Sequence, residues 1–332
     1  MSGIVTASVR RSSGSPSVTS VTTLLRAGEN STGAKASVTQ TLKHFFTVDV
    51  EEYFQVNAFD EYITRESWPT YPSRVADNVD RLLDMLAQHR VLGTFFTLGW
   101  IAKRHPRVVK RIAQAGHEIA SHGWWHRKVT ALTASEFRED VRLSKEVLED
   151  ITGIRVLGFR APSFSIVPGR EWAIDVLIEE QYAYDSSMFP VRRPEYGYPD
   201  APPIAHIIER PAGRLCEFPL ATTVWNGVRI PAAGGGYLRH FPYHVIQRAF
   251  REHTENRLPA VFYVHPWELD TEQPRLPVPL MTRVRHYRGI RNTAERVERL
   301  LSEFSFTALR DAIPPAASLW SLTTPTDTVV LQ

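Results

Sequence analysis

The period of the hydrophobic and polar positions changes repeatedly along the chain. His44–Val50 is a run of apolar and β-branched residues that reads as a strand, and the next apolar residues, Val75, Val79, Leu82, Leu83 and Leu86, recur at helical spacing. Residues 93–98 read as a second strand. Pro106 then stands at the first position of a helix whose apolar face is Val108, Val109 and Ile112 and whose C′ residue is Gly116. Residues 117–121 follow as a strand. Thr133-Ala-Ser-Glu136 is a capping-box pattern, opening a helix that carries Phe137, Val141, Leu148 and Ile151 and closes at Gly153.

The alternation continues with strands at 156–159 and 182–186 around a helix at 171–181. A Pro-rich excursion covers 190–211, strands cover 216–225 and 228–232, a helix covers Tyr243–Glu255, and a strand covers 260–265. Thr293–Phe304 has Val297, Leu300, Leu301 and Phe304 at helical spacing, with Phe306 and Leu309 in a short strand beyond, so the tail is expected to pack on the body. Repeated βα order predicts an α/β fold of parallel strands curled into a distorted or incomplete (β/α) barrel. The expected organisation is a leader over 1–40, a catalytic domain over 41–270 and a C-terminal extension over 271–332.

Composition narrows the picture. The 332 residues are 43% hydrophobic and 23% charged, enough to bury a full core. No apolar run approaches the ~20 residues that span a bilayer, so no transmembrane segment is expected. The single cysteine, Cys216, excludes an internal disulfide and a Cys-rich zinc site, so a metal must sit on histidines and carboxylates. Residues 1–43 carry Arg10, Arg11, Arg26, Lys35 and Lys43 against Glu29 alone, so the formal +3 belongs to the leader and the body is near neutral. A near-neutral body argues against a nucleic-acid partner. The Ser-, Thr-, Gly- and Ala-rich leader reads as disordered, and Arg10-Arg11 precedes Ser-Ser-Gly-Ser-Pro rather than an apolar stretch, so a cytoplasmic protein is the expectation. Nothing in the sequence excludes a homo-oligomer.

In barrels of this kind the C-terminal strand ends carry the chemistry. Strand alternation puts Asp49 and Glu51 on one side of the first strand end, and Val50 and Glu52 on the other. Ser121-His122-Gly-Trp-Trp-His126 ends the third strand, and two histidines with one carboxylate form a known catalytic zinc arrangement. The later strand ends are Arg160-Ala-Pro162-Ser163, Asp185-Ser186-Ser187 and His265-Pro266-Trp267. Ser163, Trp125 and Trp267 are candidate substrate contacts, although Trp124, Trp125 and Trp267 read first as packing. Cys216 reads as a small buried residue. Gly234-Gly235-Gly236 lacks the Lys-Ser/Thr of a P-loop and reads as a backbone turn near the site.

Thr47-Val-Asp49-Val-Glu51, Ser121-His122-Gly-Trp-Trp-His126, Arg160-Ala-Pro-Ser163, Asp185-Ser186-Ser187 and Tyr263-Val-His265 resemble, in order, the five motifs of the polysaccharide deacetylases, the NodB-homology carbohydrate esterases. The resemblance covers residues 44–270. Downstream, Gly234-Gly-Gly-Tyr237, His265-Pro-Trp-Glu-Leu-Asp270, Gln273-Pro-Arg275 and Arg285-His-Tyr-Arg288 look like the extension of a bacterial subgroup found with exopolysaccharide and exosortase gene clusters.

The resemblance implies a NodB-type barrel and a hydrolase that removes acetyl groups from N-acetylated saccharides, here those of an exopolysaccharide. It implies a divalent metal, zinc first with cobalt or nickel as alternatives, on Glu51, His122 and His126. Asp49 matches the general base, Arg160 the residue that orients it, and His265 the general acid, which Asp185 would hold protonated and correctly turned. One departure stands out: the family's usual metal carboxylate is Asp, often directly after the catalytic Asp, whereas Glu51 lies two residues on. Two rivals remain: a hydrolase of small cyclic amides, allantoinase-like, on the same fold, and a catalytically silent glycan-binding protein.

Overall fold

The structure, a computed structural model, describes residues 42–193 and 196–313 together with the backbone of Val18–Ser20 (β1). The rest of the leader read as disordered, and residues 314–332 of the expected extension, lie outside the described residues. Parallel strands β2 (His44–Val50), β3 (Thr94–Thr97), β4 (Glu118–Ser121), β5 (Gly158–Phe159) and β6 (Tyr184–Asp185) lie side by side in chain order. β7 (His206–Arg210) and β8 (Gly213–Glu217) form an antiparallel hairpin in which β8 runs parallel to β6 and β7 pairs with β1. β9 (Thr222–Trp225) and β10 (Val228–Pro231) form a separate hairpin. β11 (Val261–Val264) and β12 (Phe306–Thr307) both run parallel to β2.

Single bridges close the ring, Leu220 to Val261 and Gly234 to Tyr263. Followed through the register, Glu217 is level with Val50 by way of Asp185, Phe159, Ser121 and Thr97, whereas Leu220 is level with Phe45 by way of Val261. That offset is the stagger that tilted strands need in order to close on themselves. Gly234 is indispensable to the closure: its φ is 125°, and a Cβ would collide with the Tyr263 carbonyl oxygen.

The helices are α1 (Val75–Gln88), α2 (Gly99–Arg104), α3 (Pro106–Gln114), α4 (Ala134–Thr152), α5 (Trp172–Glu179), α6 (Gly235–His240), α7 (Tyr243–Glu255), α8 (Leu280–Tyr287) and α9 (Thr293–Glu303). The expected signals operate where they were read. Both bonds of the capping box form between Thr133 and Glu136, and Gly153 ends α4 in the left-handed region. Residues 216–225 were expected to be one strand, but Phe218-Pro219-Leu220 separates β8 from β9, because proline has no N–H for the ladder. The Pro-rich excursion hides β7, and α2 and α6 are too short to leave a readable period.

β2 is buried along its whole length. β12 pairs with its start, with the Phe306 ring 5.8 Å from that of Phe46, and α9 packs against α6 with Val297 and Leu300 fully enclosed. The tail is therefore part of the core that supports the strand carrying Asp49. Leu300→Ala should lower the unfolding free energy by about 2–5 kcal/mol in denaturant titration, and a loss below about 1 kcal/mol would mean that α9 is an appendage.

Candidate active site

β2 delivers its carboxylates to opposite sides at the barrel mouth. Glu52 turns outward and accepts the backbone N–H groups of Arg74 (3.0 Å) and Val75 (3.2 Å), so it neutralises the start of α1, where the helix dipole favours an anion. Asp49 and Glu51 turn to the cleft and are buried. Asp49 Oδ1 accepts a bond of 2.7 Å from Arg160 Nη1. Arg160 is fully enclosed, and its remaining donors go to Thr47 Oγ1 (2.7 Å), the Ser186 carbonyl (3.0 Å) and Ser186 Oγ (2.8 Å), while Phe96 lies 4.1 Å under the guanidinium. A planar guanidinium held at every edge fixes the carboxylate it faces.

The chain after β4 doubles back to bring two imidazoles together. Asp140 of α4 accepts the backbone N–H groups of Trp124 (2.7 Å) and Trp125 (3.3 Å), and Gly123, with φ of 75°, leaves no Cβ to strike that carboxylate. His126 then takes φ of 51°, and its carbonyl accepts from Asn57 and Arg65. The His122 and His126 ring centroids end 5.2 Å apart. His122 Nδ1 donates to the Arg160 carbonyl at 2.8 Å, which leaves Nε2 as a lone-pair donor. Burial, with His126 nearby, pushes His122 down to about 4, so it is neutral.

Burial alone would raise Glu51, but His126 and His265 outweigh it and hold the carboxyl at about 2. Its Oε2 is 2.8 Å from His126 Nε2 and has no hydrogen-bond partner beyond that contact. One ligand atom from each of Glu51, His122 and His126 lies within 4.8 Å of the others, and all three residues are buried. An ionised carboxylate and a neutral imidazole are the forms that bind metal, so this donor set fits a divalent ion.

His265 enters from the end of β11. Its Nε2 lies 3.9 Å from Asp49 Oδ2 and 3.7 Å from Glu51 Oε1, and its Nδ1 lies 2.9 Å from Glu268 Oε2. Burial lowers the imidazole pKa, but the Glu268 and Glu51 carboxylates raise it more, to about 9. Glu268 in turn accepts Arg239 Nε at 2.6 Å, and Arg239 Nη1 donates to the carbonyls of His286 (2.5 Å) and Arg288 (3.1 Å). Trp267 donates Nε1 to Glu51 Oε1 at 3.0 Å. These groups border an open cleft of about 1050 Å³ that reaches past Ser163, Tyr196 and Tyr237.

A family model described as polysaccharide deacetylase matches residues 61–168, across His122, His126, Arg160 and Ser163. The chain carries a polysaccharide deacetylase domain. A second model, described as a domain of unknown function (DUF3473), matches residues 186–314. The peptidoglycan-N-acetylglucosamine deacetylase of Bacillus cereus is 34% identical over 96 residues, 29% of this chain and 35% of that protein. A chitooligosaccharide deacetylase of Rhizobium leguminosarum is 38% identical over 68 residues, 20% of this chain and 32% of that protein. The chain thus spans about a third of the length of these curated relatives.

Two solved structures share the fold. A Mycobacterium smegmatis protein described as a polysaccharide deacetylase superposes with a TM-score of 0.56 at 19% identity, covering 83% of this chain and 87% of that one. An allantoinase superposes with a TM-score of 0.55 at 16% identity, covering 92% and 98%. No helix among the described residues is long and apolar enough to cross a membrane.

The structure corrects the expectation that Asp185 holds His265. Asp185 ends β6 and faces β8: Oδ1 accepts from Ser187 Oγ at 2.5 Å, and the carboxyl bonds to that of Glu217, whose Oε1 accepts the Met188 N–H at 2.9 Å. Glu268, one helical turn past His265, takes the position instead. Its signal was present as His265-x-x-Glu268 behind Pro266, the same box geometry as at Thr133. Arg239 carried no local signal, being 29 residues from the carboxylate it serves.

Trp267 is buried, with the His265 ring stacked on it at 5.2 Å and that of His286 at 4.4 Å, so its ring is not free to stack on a sugar. Trp125 is 39% exposed beside Trp68 (6.1 Å between rings) and does not line the cleft, whereas Ser163 does and donates to Asn57 Oδ1.

Burial raises the Asp185 carboxyl, and burial together with Asp185 raises that of Glu217, so the pair retains a proton above the ordinary carboxylate range. A carboxyl raised in the fold stabilises it below the unfolded pKa, and the gain is lost as pH rises through the folded value. The wild-type unfolding free energy should therefore decline as pH rises from the ordinary carboxylate range through the folded value of Asp185, about 6. Glu217→Gln, which supplies a permanent N–H donor to Asp185, should flatten that slope in denaturant titrations across pH. Identical slopes would show that the proton is held elsewhere.

Proposed function

We propose that this chain is a metal-dependent hydrolase that removes acetyl groups from the N-acetylated sugars of a polysaccharide or its biosynthetic intermediate. The observation that carries this reading is that Asp49 and His265 both face the Glu51–His122–His126 cluster at the base of an open cleft, each fixed by its own partner, Arg160 and Glu268. An N-acetyl amide is a poor electrophile with a poor leaving group, so its hydrolysis needs an activated water, stabilisation of the oxyanion and a proton for the amine. Glu51, His122 and His126 would hold the ion, with zinc the first candidate and cobalt or nickel behind it; when bound it polarises the acetyl carbonyl and lowers the pKa of water.

The chain's own residues divide the proton work. Arg160 occupies Asp49 Oδ1 and leaves Oδ2 toward the cleft, where it can take the proton of the attacking water. His265 keeps a proton because Glu268 faces Nδ1, and it turns Nε2 to the cleft, where the departing amine can receive it. Trp267 holds Glu51 Oε1, so that Oε2 is the oxygen left for the ion. The relatives named for peptidoglycan and chitooligosaccharide support an N-acetylated sugar as substrate. A cleft of about 1050 Å³ exceeds what one small cyclic amide requires, which favours a saccharide over an allantoinase-like substrate.

Metal-loaded protein incubated with N-acetylated chito-oligosaccharides should release acetate, seen by mass spectrometry as loss of acetyl from the sugar, and allantoin should be left intact. Chelation should abolish turnover and a divalent ion should restore it. His126→Ala should lower bound metal in elemental analysis without changing the circular dichroism of the fold. Full activity in metal-free protein would overturn the reading.

A further inference from the structure

Among the described helices, α8 alone buries no apolar residue; its one buried side chain is His286. Leu280, Met281 and Val284 are instead 72%, 79% and 45% exposed. At 100° per residue these three share one face, and an ordinary amphipathic helix would turn that face to the core. Here polar contacts hold the inner side: His286 stacks on Trp267, and Arg239 takes the carbonyls that end the helix. The apolar face is left outward by the same contacts that support the active site.

Arginines surround this face. Arg283 and Arg285 flank it and Arg288 follows it; all are exposed, and none is in an ion pair among the described residues. Arg193 adds a further cation from the neighbouring segment, bonded to Tyr196 and Tyr237. The acids across the mouth are Asp60, paired with Arg65 at 3.5 Å, and Glu61. Met281, Val284, Arg285 and Arg288 also line the cleft.

We infer that α8 docks on an anionic lipid surface, with Leu280, Met281 and Val284 entering the interfacial layer and Arg283, Arg285 and Arg288 meeting lipid phosphates. Apolar residues ringed by arginine match such a surface in both chemistry and charge. A second copy of the chain fits less well, because a two-fold contact would set arginine against arginine. Docking this way opens the cleft at the membrane, so the N-acetylated saccharide it meets is one displayed there; that consequence rests on the proposed deacetylase activity, whereas the docking does not.

Co-sedimentation with phosphatidylcholine vesicles, with and without phosphatidylglycerol, tests the docking without reference to turnover. The protein should bind the phosphatidylglycerol vesicles and lose most of that binding at high salt. Leu280→Asp/Arg283→Glu should reduce the partition by roughly tenfold or more. Neither residue lines the cleft, so hydrolysis of a soluble oligosaccharide should be unchanged. Leu280→Ser alone, a milder change on an exposed helix, should weaken binding in the same direction. Equal partition of variants and wild type, or no binding to either vesicle, would overturn the inference. So would self-association that the variants abolish while vesicles remain unbound. Vesicle binding with no acetyl release would leave the docking standing and refute the deacetylase reading.

Discussion

Asp49, Glu51 and Glu268 are buried together at the barrel mouth, and a buried carboxylate is tolerated only when charge or donors accompany it. Each has its own compensation. Asp49 has Arg160, Glu51 has His126 and the Trp267 indole, and Glu268 has His265 and Arg239. Removing any partner leaves a buried charge without its compensation. The positions of these side chains are therefore set by electrostatic necessity as well as by packing, and the orientation of Asp49 and His265 toward one point follows from it.

Meeting that need draws on the whole chain. Asp49 and Glu51 come from β2 and the residues just past it, and β2 is buried along its length and paired at its start with β12. His122, His126 and Arg160 come from the segment matched by the deacetylase family model, while His265, Glu268, Arg239 and His286 come from the segment matched by DUF3473. The second segment closes the barrel through Gly234 and Leu220, and it also supplies the carboxylate that holds His265. The site is complete only when the two halves fold as one barrel. The same segment leaves the apolar face of α8 outward, because its inner side is occupied by the Arg239 and His286 contacts.

What could be read from the sequence was whatever a local period or spacing encodes. Alternation placed Asp49 and Glu51 together and sent Glu52 away, and the structure has that arrangement. The four-residue spacing of His122 and His126 pointed to convergence, which Gly123 and Asp140 make possible. The capping box at Thr133 and the turn at Gly234 were likewise legible. Contacts made by tertiary closure were not. Asp185 sits at a strand end as the motif pattern requires, yet its side chain is taken by Glu217 on the neighbouring strand, and the box that begins at His265 supplies Glu268 instead. Arg239 has no pattern of its own, and α8 is apolar where an inward-facing helix would be, so its sequence alone points the wrong way.

The division of labour between Asp49 and His265 is the central claim, and a change of leaving group separates the two. An amide needs its nitrogen protonated as it departs, whereas an activated ester such as phenyl acetate does not. On the amide, His265→Ala should lose roughly 10²–10⁴-fold in rate, with Glu268→Gln following in the same direction. On the ester, His265→Ala should recover most of that loss, while Asp49→Asn stays inactive on both substrates with its metal content intact. Equal recovery by the Asp49 and His265 variants, or recovery by neither, would show that base and acid have been assigned to the wrong residues.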